Sequence, residues 1–588
     1  MTSEHNNKLT ALRLKFQDEG MDGYIIPRSD EYLGEYVPPC AERLAWISGF
    51  TGSAGFAIVL RDRAVIFSDG RYTLQLEQQV DRTLWERRHI IEDKPENWLK
   101  RMAPGQKIGF DPWTISAETL ARFSGVELVP VARNLIDAIW LDRPAPPSGA
   151  ALPYPIRYAG EEAADKRQRI AATLKADGQD AAILTDGASL AWLFNIRGTD
   201  LEFCPFTLGY AILYQSGQAQ LLMAPEKITD ELRRHLGPDV TATALADLPE
   251  ALATLKDKIV RYDPATMPAW FEANLHLAGA HIAHAPDPVA LPRARKNSTE
   301  QDGARAAHLR DALAMVEFLS WLADAAPTGQ ETEISAAETL LACRAKQPLF
   351  RSESFPAISG AGENGAIMHY RATPESNRQI RANEVYLIDS GGQYLDGTTD
   401  ITRTVWTGPG PAPNPVKAHV TRVLAGMIAL ARAVFPVGAV GAHLDGFARQ
   451  ELWRAGLDYD HGTGHGVGAY LSVHEGPANI APASKSVPLA EGMILSDEPG
   501  YYLPGAYGIR MENLVLVQNA SFPEAVKPFL QFETLTLVPF DRNLLDITLL
   551  NQESLDWLNH YHAKVRATLS PLLSGKAHAW LQAATESL

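Results

Sequence analysis

A chain of 588 residues exceeds what one hydrophobic core fills, so two to four domains are expected, and a composition 46% hydrophobic and 21% charged excludes general disorder. The 54 basic residues against 70 acidic ones give a net charge of −16 with no basic run, which excludes a nucleic-acid partner or a membrane surface. Cys40, Cys204 and Cys343 are too scattered for a disulfide framework or a thiolate metal site, and neither an export signal nor 18 uninterrupted apolar residues is found, so a cytoplasmic protein with a small or peptidic substrate is expected.

The first block opens with a polar helix from about Asn7, followed by the strand-like runs DGYIIP, GFAIVL and AVIFSD. The proline-dense DRPAPPSGAALPYP, residues 142–155, reads as a linker. The grammar then restarts with a helix over AADKRQRIAATLKADG and the strands DAAILTD and YAILYQ. WISGFTGS from Trp46 and WLFNIRGT from Trp192 stand 146 residues apart in matching contexts, which points to duplicated domains. A third block opens with a long amphipathic helix: Ser298 and Gln301 read as its capping box, and Leu309, Leu313, Val316 and Leu319 recur at helical spacing. Past residue 525 a closing extension is expected, with FLQFETLTLVPF as strand and DWLNHYHAKVRATLSPLL as helix.

The chemistry lies in the third block. VYLIDSGGQYLDGTTDITRTVW, residues 385–406, reads as an apolar strand ending at Asp389, a turn, and a strand carrying Asp400. A strand-end aspartate equally caps a turn, so Asp389 alone decides nothing. The pattern recurs in EGMILSDEPGYYLPGAYGIRMENLVLV, residues 491–517: a strand ends at Glu498, and alternation along the next puts Arg510, Glu512 and Leu514 on one face. Between the two lies HGTGHGVGAYLSVHEG, residues 461–476, with His461, His465 and His474. His461 and His465 have the spacing of a zinc helix, but Gly462, Gly464, Gly466 and Gly468 exclude a helix. The stretch also lacks the Lys-Ser or Lys-Thr pair of a phosphate loop. What remains is a loop or short strand whose small residues let a metal, a substrate or a facing backbone approach. Four carboxylates with imidazole favour hard or borderline ions such as Mn²⁺, Mg²⁺ or Co²⁺, and their charge matches two divalent ions of the kind held roughly 3.5–4 Å apart in many hydrolases.

In order, type and neighbouring motifs (HGTGHGVG, DEPGYY, RMEN) these residues resemble the catalytic domain of the aminopeptidase P, prolidase and methionine aminopeptidase superfamily. SDEYLGEY, WISGFTGSAG, DGRY, WLFNIRG and the tail extend the likeness to the long, three-domain Xaa-Pro aminopeptidase family. That resemblance implies an α/β fold with two creatinase-like N-terminal domains, 1–150 and 151–296, then a pita-bread catalytic domain, 297–525, and a C-terminal extension, 526–588, packed on it. It implies hydrolysis of the bond between an N-terminal residue and a following proline in short peptides, by a hydroxide bridging two divalent ions, Mn²⁺ first with Co²⁺ or Zn²⁺ as alternatives. Carried over by position, Asp389 chelates one ion, Asp400 and Glu512 bridge both, and His465 and Glu498 hold the other, with Glu498 taking the proton of the bridging water. His369 in NGAIMHYR, His461 and His474 match further active-site histidines. His474 is expected to meet the substrate carbonyl or the leaving imide, and His369 and Arg510 to shape the pocket or anchor the peptide. A homodimer is expected by the same analogy. The runners-up are a prolidase confined to dipeptides and a metal-free binding member of the fold.

Overall fold

The computed structural model describes residues 2–588, and the chain divides into two compact units, one ending at Ala290 and the other beginning at Leu291. Helix α1 (Thr2–Asp18) starts ahead of the expected Asn7, because no glycine or proline in SEHNN interrupts it. Two six-stranded sheets build the first unit. In one, β1 (Gly23–Pro27), β2 (Phe56–Leu60), β3 (Ala64–Ser68), β4 (Glu86–His89), β5 (Lys107–Phe110) and β6 (Glu127–Pro130) lie in the order 4-3-2-1-5-6. In the other, β7 (Ala181–Leu184), β8 (Tyr210–Tyr214), β9 (Ala219–Met223), β10 (Val240–Ala244), β11 (Ile259–Tyr262) and β12 (His281–His284) lie in the order 10-9-8-7-11-12.

Counted from the first strand of each sheet, the two orders are the same, and so is the sense of every pairing. The first strand is antiparallel to the second and the second to the third, while the outer pairs are parallel. The repeated tryptophan motif lies at one place in both. Trp46 is in α2 (Arg43–Ser48), between β1 and β2. Past α3 (Ala163–Ala176), Trp192 is in α4 (Gly187–Leu193), between β7 and β8. Alternate residues of β1 to β3 enter different cores, Ile26, Val59 and Ile66 on one face and Ile25, Ile58 and Val65 on the other. Burial on both faces explains why these strands read as continuous apolar runs, each side chain contributing about 1.5–3 kcal/mol.

The second unit opens with α5 (Ser298–Ala325), capped one residue earlier than expected. Asn297 Oδ1 accepts from Glu300 N at 3.0 Å and Glu300 Oε2 accepts from Asn297 N at 3.0 Å, while Gln301 turns its amide to Lys296 O at 2.8 Å. Asparagine caps as well as serine does, and a glutamate in the first turn also meets the positive end of the helix dipole. After α6 (Glu333–Ala345) come the antiparallel strands β13 (Ile358–Ala361), β14 (Val385–Ser390) and β15 (Ile401–Trp406). Helix α7 (Asn414–Ala431), β16 (Val434–Pro436) and α8 (Gly441–Trp453) follow, and then β17 (Gly464–His465) paired with β18 (Asn479–Ile480). The HGTGHGVG stretch is thus loop plus short strand.

The second carboxylate segment departs from expectation. Strand β19 (Ile494–Asp497) stops one residue before Glu498, and the strand expected to carry both Arg510 and Glu512 is two strands. The hairpin of β20 (Gly500–Leu503) and β21 (Tyr507–Arg510) ends at Arg510, whereas β22 (Asn513–Ala520) pairs with β19 and with β23 (Phe529–Thr534). Met511 and Glu512 form the crossing, with Met511 N donating to Pro499 O at 3.2 Å and Glu512 N to Thr402 O at 3.2 Å. Strands in the order 16-23-22-19 make a four-stranded sheet, so the start of the C-terminal extension is one of its inner strands. Helix α9 (Gln552–Leu569) joins α5 and α7 over a core that includes Phe318, Tyr386, Ile388, Leu424 and Val565. Among the described residues no helix is long and apolar enough to cross a membrane.

Candidate metal centre

Strands β14 and β15 carry the first two acids. Asp389 pairs across the ladder with Thr402, and Asp400 immediately precedes β15. The short strand β17 brings in His465, which packs so closely that a Cβ on Gly464 would collide with Ser496 O and one on Gly466 with Glu475 O. Its main-chain N–H donates to Ser496 Oγ at 2.9 Å, and Ser496 in turn donates to Glu498 Oε1 at 3.0 Å. The imidazole Nε2 stands 3.5 Å from Asp400 Oδ2 and 3.4 Å from Glu498 Oε1. One ligand atom each from Asp400, His465 and Glu512 lie within 4.8 Å of one another. Glu512 Oε2 accepts from Thr402 Oγ1 at 2.7 Å, and Asp389 Oδ2 accepts from Arg510 Nη2 at 2.5 Å and Nε at 3.2 Å.

The set fits metal. Asp389 Oδ1, Asp400 Oδ1 and Glu512 Oε1 are buried without a hydrogen-bond partner, and an unpaired buried carboxylate oxygen costs heavily unless a cation meets it. Burial raises the pKa of Asp389 in spite of Arg510, and raises Glu498 and Glu512 as well, with the neighbouring carboxylates adding to each. Burial works against a charged His465, but the hydrogen bond it donates to Asp400 and the negative charge of Glu498 prevail and lift its pKa to about 9. Without a cation the cluster holds protons instead. With Nδ1 3.0 Å from Gly466 O, Nε2 is the nitrogen that faces the carboxylates.

The remaining expected residues fall at different distances from this centre. His474 meets His465 edge-on, ring centroids 4.3 Å apart, and the adjacent Glu475 is buried between Lys296 and Arg293, whose Nε is 3.2 Å from Glu475 Oε2. His461 is linked to the centre through Tyr502: its Nε2 is 2.9 Å from the Tyr502 hydroxyl, which accepts from Arg510 Nη1 at 2.6 Å. In the sequence Tyr502 reads equally as hairpin packing or as a substrate contact; the pairing of Gly500 with Arg510 puts it on the face of Arg510. His369 is half-buried on the loop from β13 to β14. That loop is closed by the buried Glu333 carboxylate, which accepts from Ala361 N, Arg378 N, Asn364 Nδ2 and the Tyr370 hydroxyl at 2.8–3.1 Å.

The class follows from fold and site together. Residues 302–519 match the metallopeptidase family M24 and residues 528–588 the C-terminal region of that family, while residues 8–139 and 142–300 each match a creatinase/prolidase N-terminal domain. Aminopeptidase P2 of Arabidopsis thaliana is 39% identical, covering 98% of this chain and 88% of its own, and a probable Xaa-Pro aminopeptidase P of Aspergillus niger is 37% identical over 100% and 99%. The crystal structure of an X-prolyl aminopeptidase from Caenorhabditis elegans, described as a cytosolic enzyme with a di-nuclear active site, superposes with a TM-score of 0.93 at 33% identity over 99% of this chain and 100% of that one. The chain belongs to the aminopeptidase P family of M24 metallopeptidases.

Proposed function

We propose that this protein removes the N-terminal residue from short peptides with proline at the second position, using two divalent ions, Mn²⁺ in the cell. The observation that carries the reading is the convergence of Asp400, His465 and Glu512 beside unpaired carboxylate oxygens. Asp389, Asp400, His465, Glu498 and Glu512 would hold the ions. Ions bound there supply Lewis acidity and an acidified water. Glu498 would take a proton from that water and pass it to the proline nitrogen as the bond breaks. That nitrogen carries no N–H in the peptide, so it must gain a proton to leave. His474, beside His465, donates to the scissile carbonyl oxygen; Arg510 fixes the Asp389 carboxylate; Tyr502 joins Arg510 to His461; and His369 lines the pocket.

Full-length likeness to aminopeptidases P supports this over a dipeptidase. A cytoplasmic homodimer belongs to the same reading, supported by three scattered, buried and unpaired cysteines and by Phe447 and Trp453 of α8, 44% and 51% exposed. The test is hydrolysis of Arg-Pro-Pro by metal-stripped protein with and without Mn²⁺, with sedimentation for the dimer. Mn²⁺-dependent release of arginine, and two ions bound per chain, are expected. A metal-replete protein that cleaves Xaa-Pro dipeptides but leaves Arg-Pro-Pro intact would refute the reading, and a monomer at micromolar concentration would remove the dimer.

A further inference from the structure

Arg403 takes no part in the chemistry above, yet it is among the largest fully buried side chains of the protein. On β15 its neighbours Thr402 and Thr404 turn toward the centre. Thr402 Oγ1 donates to Glu512 Oε2 at 2.7 Å, and Thr404 Oγ1 donates to Arg510 O at 2.9 Å. By alternation Arg403 points to the opposite side, where an arginine on a strand would ordinarily meet water. Here it meets the C-terminal segment instead. Its Nε donates to Pro539 O at 3.1 Å, its Nη2 to Val538 O at 2.7 Å, to the Tyr561 hydroxyl at 3.2 Å and to Asn513 Oδ1 at 2.8 Å. Its Nη1 donates to Thr402 O at 2.8 Å and to Glu512 O at 2.6 Å, and the guanidinium lies over the Phe540 ring, 4.1 Å from its centroid.

Two features of this arrangement matter. None of the six acceptors is a carboxylate, so a buried cation is solvated by neutral groups alone and its charge remains available to the acids behind β15. The second feature is what it grips. Glu512 stands at the crossing between β21 and β22, where no ladder partner fixes its main chain. Its N–H is held by Thr402 O, and its carbonyl is held by Arg403. Remove the guanidinium and the residue that offers an unpaired oxygen to the metal centre is pinned from one side only.

We propose that Arg403 is a positioning residue for Glu512, and that the C-terminal segment, through Val538, Pro539 and Tyr561, completes the metal centre from behind by holding Arg403 in place. Tyr561 is itself locked by its hydroxyl, which stands 3.0 and 2.9 Å from Thr536 O and Val538 O and shares its one proton with them, and by a parallel stack on Trp557, 5.2 Å between centroids. The inference rests on the assignment of Glu512 to the metal set.

The experiment measures Mn²⁺ binding calorimetrically on metal-stripped full chains, alongside thermal unfolding of the same metal-free samples. The variants are Tyr561→Phe, Arg403→Lys and Glu512→Gln, with the exposed His560→Ala of α9 as control. Tyr561→Phe is expected to weaken the weaker of two Mn²⁺ sites by about threefold and Arg403→Lys by about tenfold or more, with His560→Ala unchanged. In the Glu512→Gln background Arg403→Lys should weaken Mn²⁺ binding no further, because both changes act through one ligand. Variants that melt earlier but bind both ions with wild-type affinity would overturn the proposal, as would losses that add in the double variant. Should Arg403→Lys fail to fold, Tyr561→Phe decides by the same readouts. Wild-type protein that binds no Mn²⁺ refutes the metal assignment itself, a result distinct from selective loss in the variants.

Discussion

Both units bury carboxylates with an unpaired oxygen, and the contrast between them separates a structural acid from a metal ligand. In the first unit Asp200 Oδ2 accepts from the Lys227 ammonium at 2.5 Å and from Leu208 N at 2.6 Å, leaving Oδ1 alone. Asp30 Oδ1 accepts from Tyr32 N and Gly34 N, each at 3.0 Å, leaving Oδ2 alone. Each is a single acid served by donors a few residues away or by one cation. In the second unit Asp389, Asp400 and Glu512 leave one oxygen each and come from three strand ends, and Asp400 and Glu512 meet at one imidazole. An isolated unpaired oxygen reports a modest local cost, whereas several converging on one point report a missing cation.

Breaking the convergent site should have the largest effect on activity. Asp400→Ala is expected to lower kcat/KM for Arg-Pro-Pro by about 10³-fold or more, while the metal-free protein melts no earlier than wild type, since one of several mutually repelling carboxylates is gone. A fall in metal-free stability would mean that Asp400 is a structural acid of the Asp200 kind. The converse change is Lys227→Ala, which strands Asp200 in the interior and should cost about 3–5 kcal/mol in denaturant unfolding of the first unit. The kcat/KM of the protein that remains folded should stay within about twofold.

The sequence carried the contrast unevenly. Asp389 and Glu498 end apolar runs, where a charge shows in one dimension, and Asp400 and Glu512 were legible because each falls in the next strand-like run of the same recurring pattern. The duplicated sheets were legible through Trp46 and Trp192, because both lie in short helices at one step of one topology. The break at Met511 and Glu512 was not, since period-two alternation is the same for one strand and for two that exchange partners. Arg403 was hidden for a different reason. In TDITRTV it reads as a solvent-facing residue, and the carbonyls that bury it come from Val538 and Pro539, more than a hundred residues away. The cap slipped from Asn297 to Ser298 because both residues cap well and composition cannot rank them.

The finest test of the contrast concerns Asp30, which is held by backbone donors and not by an ion pair. Burial raises the Asp30 pKa to about 7, against its two backbone N–H donors, which favour the charged form. A carboxyl whose folded pKa lies above its unfolded value binds its proton more tightly in the folded state. Stability is therefore greatest below the unfolded pKa, near 4, and declines as pH rises toward 7, by about 4 kcal/mol in all. Asp30→Asn keeps the acceptor for Tyr32 and Gly34 and abolishes the titration, but places an amide donor where Oδ2 has no partner, which offsets about 1–3 kcal/mol of the gain. The expected result is a variant more stable than wild type by about 1–3 kcal/mol at pH 8 and not more stable at pH 4, read from denaturant midpoints at the two pH values. If instead the variant is destabilised at pH 8, Asp30 is ionised in the folded protein and draws on a cation in the way the convergent acids do, and the distinction between the two kinds of buried acid loses its simplest member.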